Sequence, residues 1–106
     1  MNPPPAESSP TISVVIASVN GLPSIVECLD CLSQQEGNID YEVLVMDRCD
    51  AKTRQEIRRL FPQPEVHLIE EAGHPSIPKL RALGIAQARG QLIAILEDHC
   101  NVPPAW

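Results

Sequence analysis

Leu92 to Leu96 is an unbroken run of five apolar residues that gives way at once to Glu97, Asp98 and His99. The run is too short to cross a membrane, and it lacks the alternation of a strand with one wet face. It reads as a strand of a parallel sheet, buried on both faces. Burial ends where the charges begin, so Glu97, Asp98 and His99 are expected at the carboxyl end of that strand. Open α/β sheets bind their ligands along that edge. Two carboxylates and an imidazole there have the chemistry to hold a divalent cation and, through it, an anionic ligand.

The rest of the chain repeats the pattern. Thr11–Ala17 (TISVVIA) and Tyr41–Met46 (YEVLVM) are further β-rich runs, and Glu65–Glu70 (EVHLIE) is a shorter, more polar one. Between the first two, apolar residues at 22, 25, 26, 29 and 32 follow a helical spacing, with Pro23 suited to a first helical position and Gly37 to a stop. Thr53 and Glu56 form a capping-box pattern ahead of Ile57, Leu60 and Phe61, and Pro62 ends that helix. A third helix is expected over about Lys79–Arg89, closing at Gly90. The order β-α-β-α-β-α-β with short joins predicts a Rossmann-like three-layer α/β/α fold with a mainly parallel sheet and right-handed crossovers. The Glu65 strand is polar enough for one sheet edge. With the Thr11 strand internal, the Leu92 strand suits the other. An uncovered edge that apolar aggregates, so a partner or further chain is expected to cover it.

At 106 residues the chain makes one small domain or part of one. Residues 1–10, with four prolines and almost nothing to bury, are expected to be a disordered lead-in, leaving 11–106 as the folded unit. Eight basic against fourteen acidic side chains give a net charge of −6, which argues against a nucleic-acid partner. No run has membrane-span length and the first residues do not form a secretory signal. Four cysteines in such a chain fit reduced cytoplasmic thiols.

Three strand ends carry polar groups: Ser18 and Asn20 after the first, Asp47 after the second, Glu97–His99 after the fourth. One polar strand end is explained by the wetness of loops. Three at the same edge of one parallel sheet can converge on a ligand. Other candidates are weaker. Cys28 and Cys31 fall inside the first helix, away from the dipole that acidifies a thiol at a helix start, and with Cys49 and Cys100 they match no zinc-knuckle spacing. His67 alternates with apolar neighbours, His74 sits in a glycine-proline loop, and Lys52, Arg54, Arg58 and Arg59 read as the wet face of a short helix. No G-x-G-x-x-G follows the first strand. Trp106 suits either a sugar platform or a core position.

The blocks Ile12–Asn20 (ISVVIASVN), Ile25–Gln35 (IVECLDCLSQQ), Tyr41–Asp47 (YEVLVMD), Leu80–Gly90 (LRALGIAQARG) and Leu92–Trp106 (LIAILEDHCNVPPAW) resemble, in order and spacing, the N-terminal half of the inverting family 2 glycosyltransferases of the A-type fold. That resemblance implies binding of a nucleotide-diphosphate sugar, with a UDP-sugar favoured, and of a divalent metal, Mg or Mn. It implies that Asp47 contacts the base, that Ala17, Ser18 and Asn20 line the base pocket, and that Arg81 is a basic residue on the nucleotide side. Glu97, Asp98 and His99 stand at the family's Asp-any-Asp metal position. Two positions depart from the pattern: Arg48 replaces the second of two acids after the second strand, and His99 replaces a metal-binding carboxylate. The acceptor half and its general base would lie beyond Trp106, so no catalytic residue is expected within 1–106. A cytoplasmic location is expected, membrane-peripheral for the full-length protein. These departures and the missing acceptor half are what favour a second reading, a non-catalytic nucleotide-binding or interaction module on the same fold.

Overall fold

The computed structural model describes residues 10–37 and 40–106. The expected disordered lead-in, Pro10 apart, lies outside the described residues. The elements run β1 (Ile12–Ser18), α1 (Ser24–Ser33), β2 (Tyr41–Asp47), α2 (Ala51–Leu60), β3 (Val66–Glu70), α3 (Ile77–Gln87) and β4 (Leu92–Glu97). The strands form one parallel sheet in the order β3-β2-β1-β4.

The chain steps from β1 through β2 to β3 in one direction and then crosses back to β4. Right-handed crossovers therefore put α1 and α2 on one face and α3 on the other. Alternate strand residues serve opposite faces. Val14, Ile16, Val43, Val45 and Leu96 pack with Ile25, Cys28, Leu29, Leu32 and Ile57 on the first face. Val15, Ala17, Leu44 and Met46 pack with Leu80 on the second. β1 and β2 are thus buried on both sides, as their uninterrupted apolar runs require.

β4 is not. It closes the sheet as an edge, and Leu92, Ile93 and Ile95 are 62%, 43% and 41% exposed. The reason is the position of α3, which lies across β1 and β2 and leaves β4 open. An apolar run alone does not distinguish a central strand from an edge.

Helix boundaries shift for local reasons. α1 begins after Pro23, leaving Leu22 exposed before it. α2 begins at Ala51 because Asp50, not Thr53, is its cap: the Thr53 N–H donates to Asp50 Oδ1 at 2.9 Å. Thr53 is a buried residue of the first turn. α3 starts at Ile77, where Ser76 Oγ accepts from the Lys79 N–H at 3.3 Å, and ends at Gln87. Gly84 lets α3 press onto the sheet, since a methyl group there would lie 2.5 Å from Val15 Cγ1 and 3.1 Å from Met46 Cγ. Among the described residues no helix is long and apolar enough to cross a membrane.

Candidate functional site

The strand register lines up the polar tips. Ser18 is opposite Asp47, Asp47 opposite Glu70, and Ala17 opposite Glu97. Ser18 Oγ donates to Asp47 Oδ1 at 2.8 Å, while Asp47 Oδ2 accepts from the Cys49 N–H at 3.2 Å and from Arg54 Nη1 at 3.0 Å. Arg54 also reaches Glu70 Oε2 at 3.3 Å. Arg54 is therefore no wet-face residue: it turns inward and neutralises an Asp47 carboxylate that is fully buried. Arg48, the cation in place of a second acid, points elsewhere and donates from Nη1 to the Pro75 carbonyl at 2.7 Å, tethering the loop before α3.

A second set of bonds ties β4 to β1. Asp98 Oδ2 accepts the N–H groups of Val19 and Asn20, both at 2.8 Å, and Oδ1 accepts Asn20 Nδ2 at 2.6 Å. With 2% exposure, Asp98 is directed into the protein as a clamp across the β1–β4 crevice, where a nucleotide or metal ligand would require it to face outward. The crevice is where the chain's connections diverge to opposite sides of the sheet, the switch point at which open α/β sheets bind ligands.

Its neighbours point the other way. Glu97 and His99 are 54% and 59% exposed, with Glu97 Oε2 2.9 Å from His99 Nε2. Glu97 Oε1 is 3.9 Å from Arg81 Nη2, so the basic residue expected on the nucleotide side does face the acidic tip. Arg81 Nε is buried and has no hydrogen-bond partner among the described residues. Cys100 joins this group: one ligand atom from each of Glu97, His99 and Cys100 lies within 4.8 Å of the other two. The residues present thus fit a divalent cation, with a donor set that is not all oxygen.

Between the loops after β1 and β2 is a cavity of about 420 Å³ lined by Val19, Asn20, Gly21, Cys49, Lys52 and Thr53, among others. Ala17 and Ser18 are buried and do not line it. Cys49 was signalled in the sequence only as one thiol among four. Burial and then the charge of Asp47 push its thiol up. Cys28 is buried in the core, where burial first, and the nearby Cys100, Asp98 and Cys31 next, push it up to about 12. All four thiols are free.

Two further expectations are corrected. Trp106 is exposed beside Ile12, Tyr41 and Leu92, the first residues of three strands, so it sits at the amino edge, opposite the polar tips. The Pro103 and Pro104 carbonyls hold it there by accepting from Gln35 Nε2 at 2.6 Å and the Glu36 N–H at 2.8 Å. His67, set aside above as one of an alternating strand pattern, has a charged neighbour: its Nε2 lies 3.4 Å from Oε1 of buried Glu42, whose Oε2 accepts from Ser13 Oγ at 2.6 Å and the Arg89 N–H at 2.8 Å. Glu42 was legible as the one charge inside the YEVLVM run.

Residues 13–106 match the family model described as glycosyl transferase family 2. The chain is 34% identical over 104 residues to the succinoglycan biosynthesis protein ExoO of Rhizobium meliloti, covering 98% of this chain and 30% of that protein. It spans about a third of the length of the curated relatives it matches. Among solved structures, S. aureus TarS 1-349 in complex with UDP superimposes with a TM-score of 0.80 at 21% identity, over 90% of this chain and 29% of that one. The mannosyltransferase PcManGT from Pyrobaculum calidifontis, in complex with GDP-Man and Mn2+, does so with a TM-score of 0.75 at 25% identity, over 92% and 30%.

Proposed function

The chain belongs to glycosyl transferase family 2, and from that premise we propose that it is the donor-binding part of an inverting, metal-assisted glycosyltransferase. One observation carries the reading. Asn20 lines the cavity between the β1 and β2 loops and is held there by Asp98, whose sequence neighbours Glu97 and His99 are exposed. The cavity and an outward-facing pair of candidate cation ligands are thereby joined through one side chain. Support comes from the relatives: TarS was solved with UDP and with UDP-GlcNAc, and PcManGT with GDP-Man and Mn2+.

In this reading the base and ribose occupy the cavity lined by Asn20, Cys49 and Thr53. Ser18 and Asp47 do not line it but hold Cys49 in its wall, the Ser18 carbonyl by accepting from the Cys49 thiol and Asp47 Oδ2 from the Cys49 N–H, and Ala17 contributes through packing. The diphosphate lies toward Glu97 and His99, with Arg81 adding a fixed positive charge. A divalent cation held by Glu97 and His99 would offset the charge that develops on the departing diphosphate. Asp98 acts as the positioning residue for both halves of the site. In the whole protein, an acceptor hydroxyl displaces the nucleoside diphosphate from the anomeric carbon with inversion, its proton passing to a general base. A UDP-sugar is the favoured donor.

Calorimetric titration of the chain with UDP and a divalent cation tests this. Saturable binding that Glu97→Ala and Asn20→Ala each weaken roughly tenfold or more, with circular dichroism unchanged, is expected. Binding that both variants leave intact would sink the assigned site.

A further inference from the structure

We propose that Glu97, His99 and Cys100 form a three-donor site selective for zinc-class cations over magnesium and manganese, with Asp98 as the carboxylate that orients His99. This deepens the donor-site reading, since it concerns the cation at the same strand tip.

The local backbone builds the site. The Cys100 N–H donates to the Glu97 carbonyl at 3.0 Å, closing a tight turn directly after β4. That turn folds three ligand-bearing side chains around one point, within 4.8 Å of one another. A four-coordinate zinc ion, with bonds of about 2.0–2.3 Å, sets its ligand atoms roughly 3.3–3.7 Å apart. Closing that difference would take side-chain rotations that the exposure of Glu97 and His99 leaves room for.

An independent observation is the second imidazole nitrogen. His99 Nδ1 lies 3.7 Å from Asp98 Oδ1 while Nε2 faces Glu97. That separation is an ion-pair approach and not a hydrogen bond; a small rotation of the imidazole would put Asp98 in the outer-shell position that orients a ligating histidine. Asp98 is held in that place by three hydrogen bonds from Val19 and Asn20.

The donor chemistry decides the metal. Magnesium requires near-octahedral oxygen ligation and manganese favours carboxylates. With Asp98 turned inward, the tip offers one carboxylate, one imidazole and one thiol. Nitrogen and sulfur select zinc or cobalt, and three protein ligands leave a position open for water or a phosphate oxygen.

The test is titration of the reduced chain with Co2+ in the absence of nucleotide. Sulfur-to-cobalt charge-transfer absorption is expected, lost in Cys100→Ser and kept in Cys31→Ser. His99→Ala, at an exposed position, is expected to weaken Co2+ binding roughly tenfold or more, so the site is tested even if the Cys100 variant unfolds. Stoichiometric Zn2+ should displace the cobalt, and a large excess of Mg2+ or Mn2+ should not. The proposal is overturned by an absent charge-transfer band, by a band that survives Cys100→Ser, or by displacement by Mn2+ as effective as by Zn2+. UDP titration of the same samples separates the two readings. UDP binding without the cobalt band removes the zinc site alone, and the band without UDP binding removes the donor site alone.

Discussion

Asp98 holds Asn20 with both of its oxygens: Oδ2 accepts the backbone N–H at 2.8 Å and Oδ1 accepts the side-chain amide at 2.6 Å. One buried carboxylate thereby fixes Asn20, a residue of the cavity wall, to the tip of β4. Asp98→Ala strands two backbone N–H groups and should cost about 2–4 kcal/mol of stability. Glu97→Gln, at an exposed position one residue away, should stay within about 0.5 kcal/mol of the parent. Urea unfolding of the two variants checks the contrast.

Arg54 bridges buried Asp47 and exposed Glu70. Removing it leaves an uncompensated buried charge, so Arg54→Ala should lose about 3 kcal/mol or more. Arg54→Lys keeps the charge without the fork that spans two carboxylates, and should recover only part of the loss. The urea midpoints of both variants against the parent decide this.

Gly84 is needed for space. Its backbone is an ordinary helical one, yet an added methyl would meet Val15 at 2.5 Å. Gly84→Ala should destabilise by about 1–3 kcal/mol despite the better helix propensity of alanine. A thermal melt that rises in this variant would refute the packing described for α3.

Glu42 predicts an acid limb. Burial alone would push its carboxyl up, but hydrogen bonds from Ser13 and the Arg89 N–H, with the Arg89 charge, outweigh burial and hold it below its ordinary value of 4.5. A carboxyl more acidic in the folded than in the unfolded state stabilises the fold above the unfolded pKa. That contribution is lost as pH falls through the folded value. Glu42→Gln should therefore be less stable than the parent near neutral pH, and the two should converge once pH falls below the depressed folded value. Denaturation midpoints across that range measure it.

The sheet and its element order were legible because β1 and β2 are central strands, whose two buried faces demand continuous apolar runs. β4 carries the same kind of run at an edge, so its exposure depended on where α3 lies, which no local pattern encodes. The helix caps were misread by a few residues because Asp50 and Thr53 both have capping side chains, and backbone geometry selects Asp50. At the strand tip, sequence located Glu97, Asp98 and His99 together. Which of the three turns inward follows from the β1–β4 register and the turn to Cys100, both tertiary facts. Cys100 was passed over because the four thiols were weighed by their spacing along the chain. Arg54 was missed because a cation on a polar helix face looks solvated until a buried carboxylate is found beneath it.

The central claim, a donor site at the carboxyl edge between β1, β2 and β4, is tested most directly by mapping backbone amide shifts of the labelled chain on addition of UDP and a divalent cation. Saturable shifts are expected, confined to Val19–Gly21, Cys49–Thr53 and Glu97–Cys100, with Trp106 and the Glu42–His67 region unmoved. Shifts concentrated at Trp106, Tyr41 and Leu92 would place the ligand at the opposite edge of the sheet and contradict it.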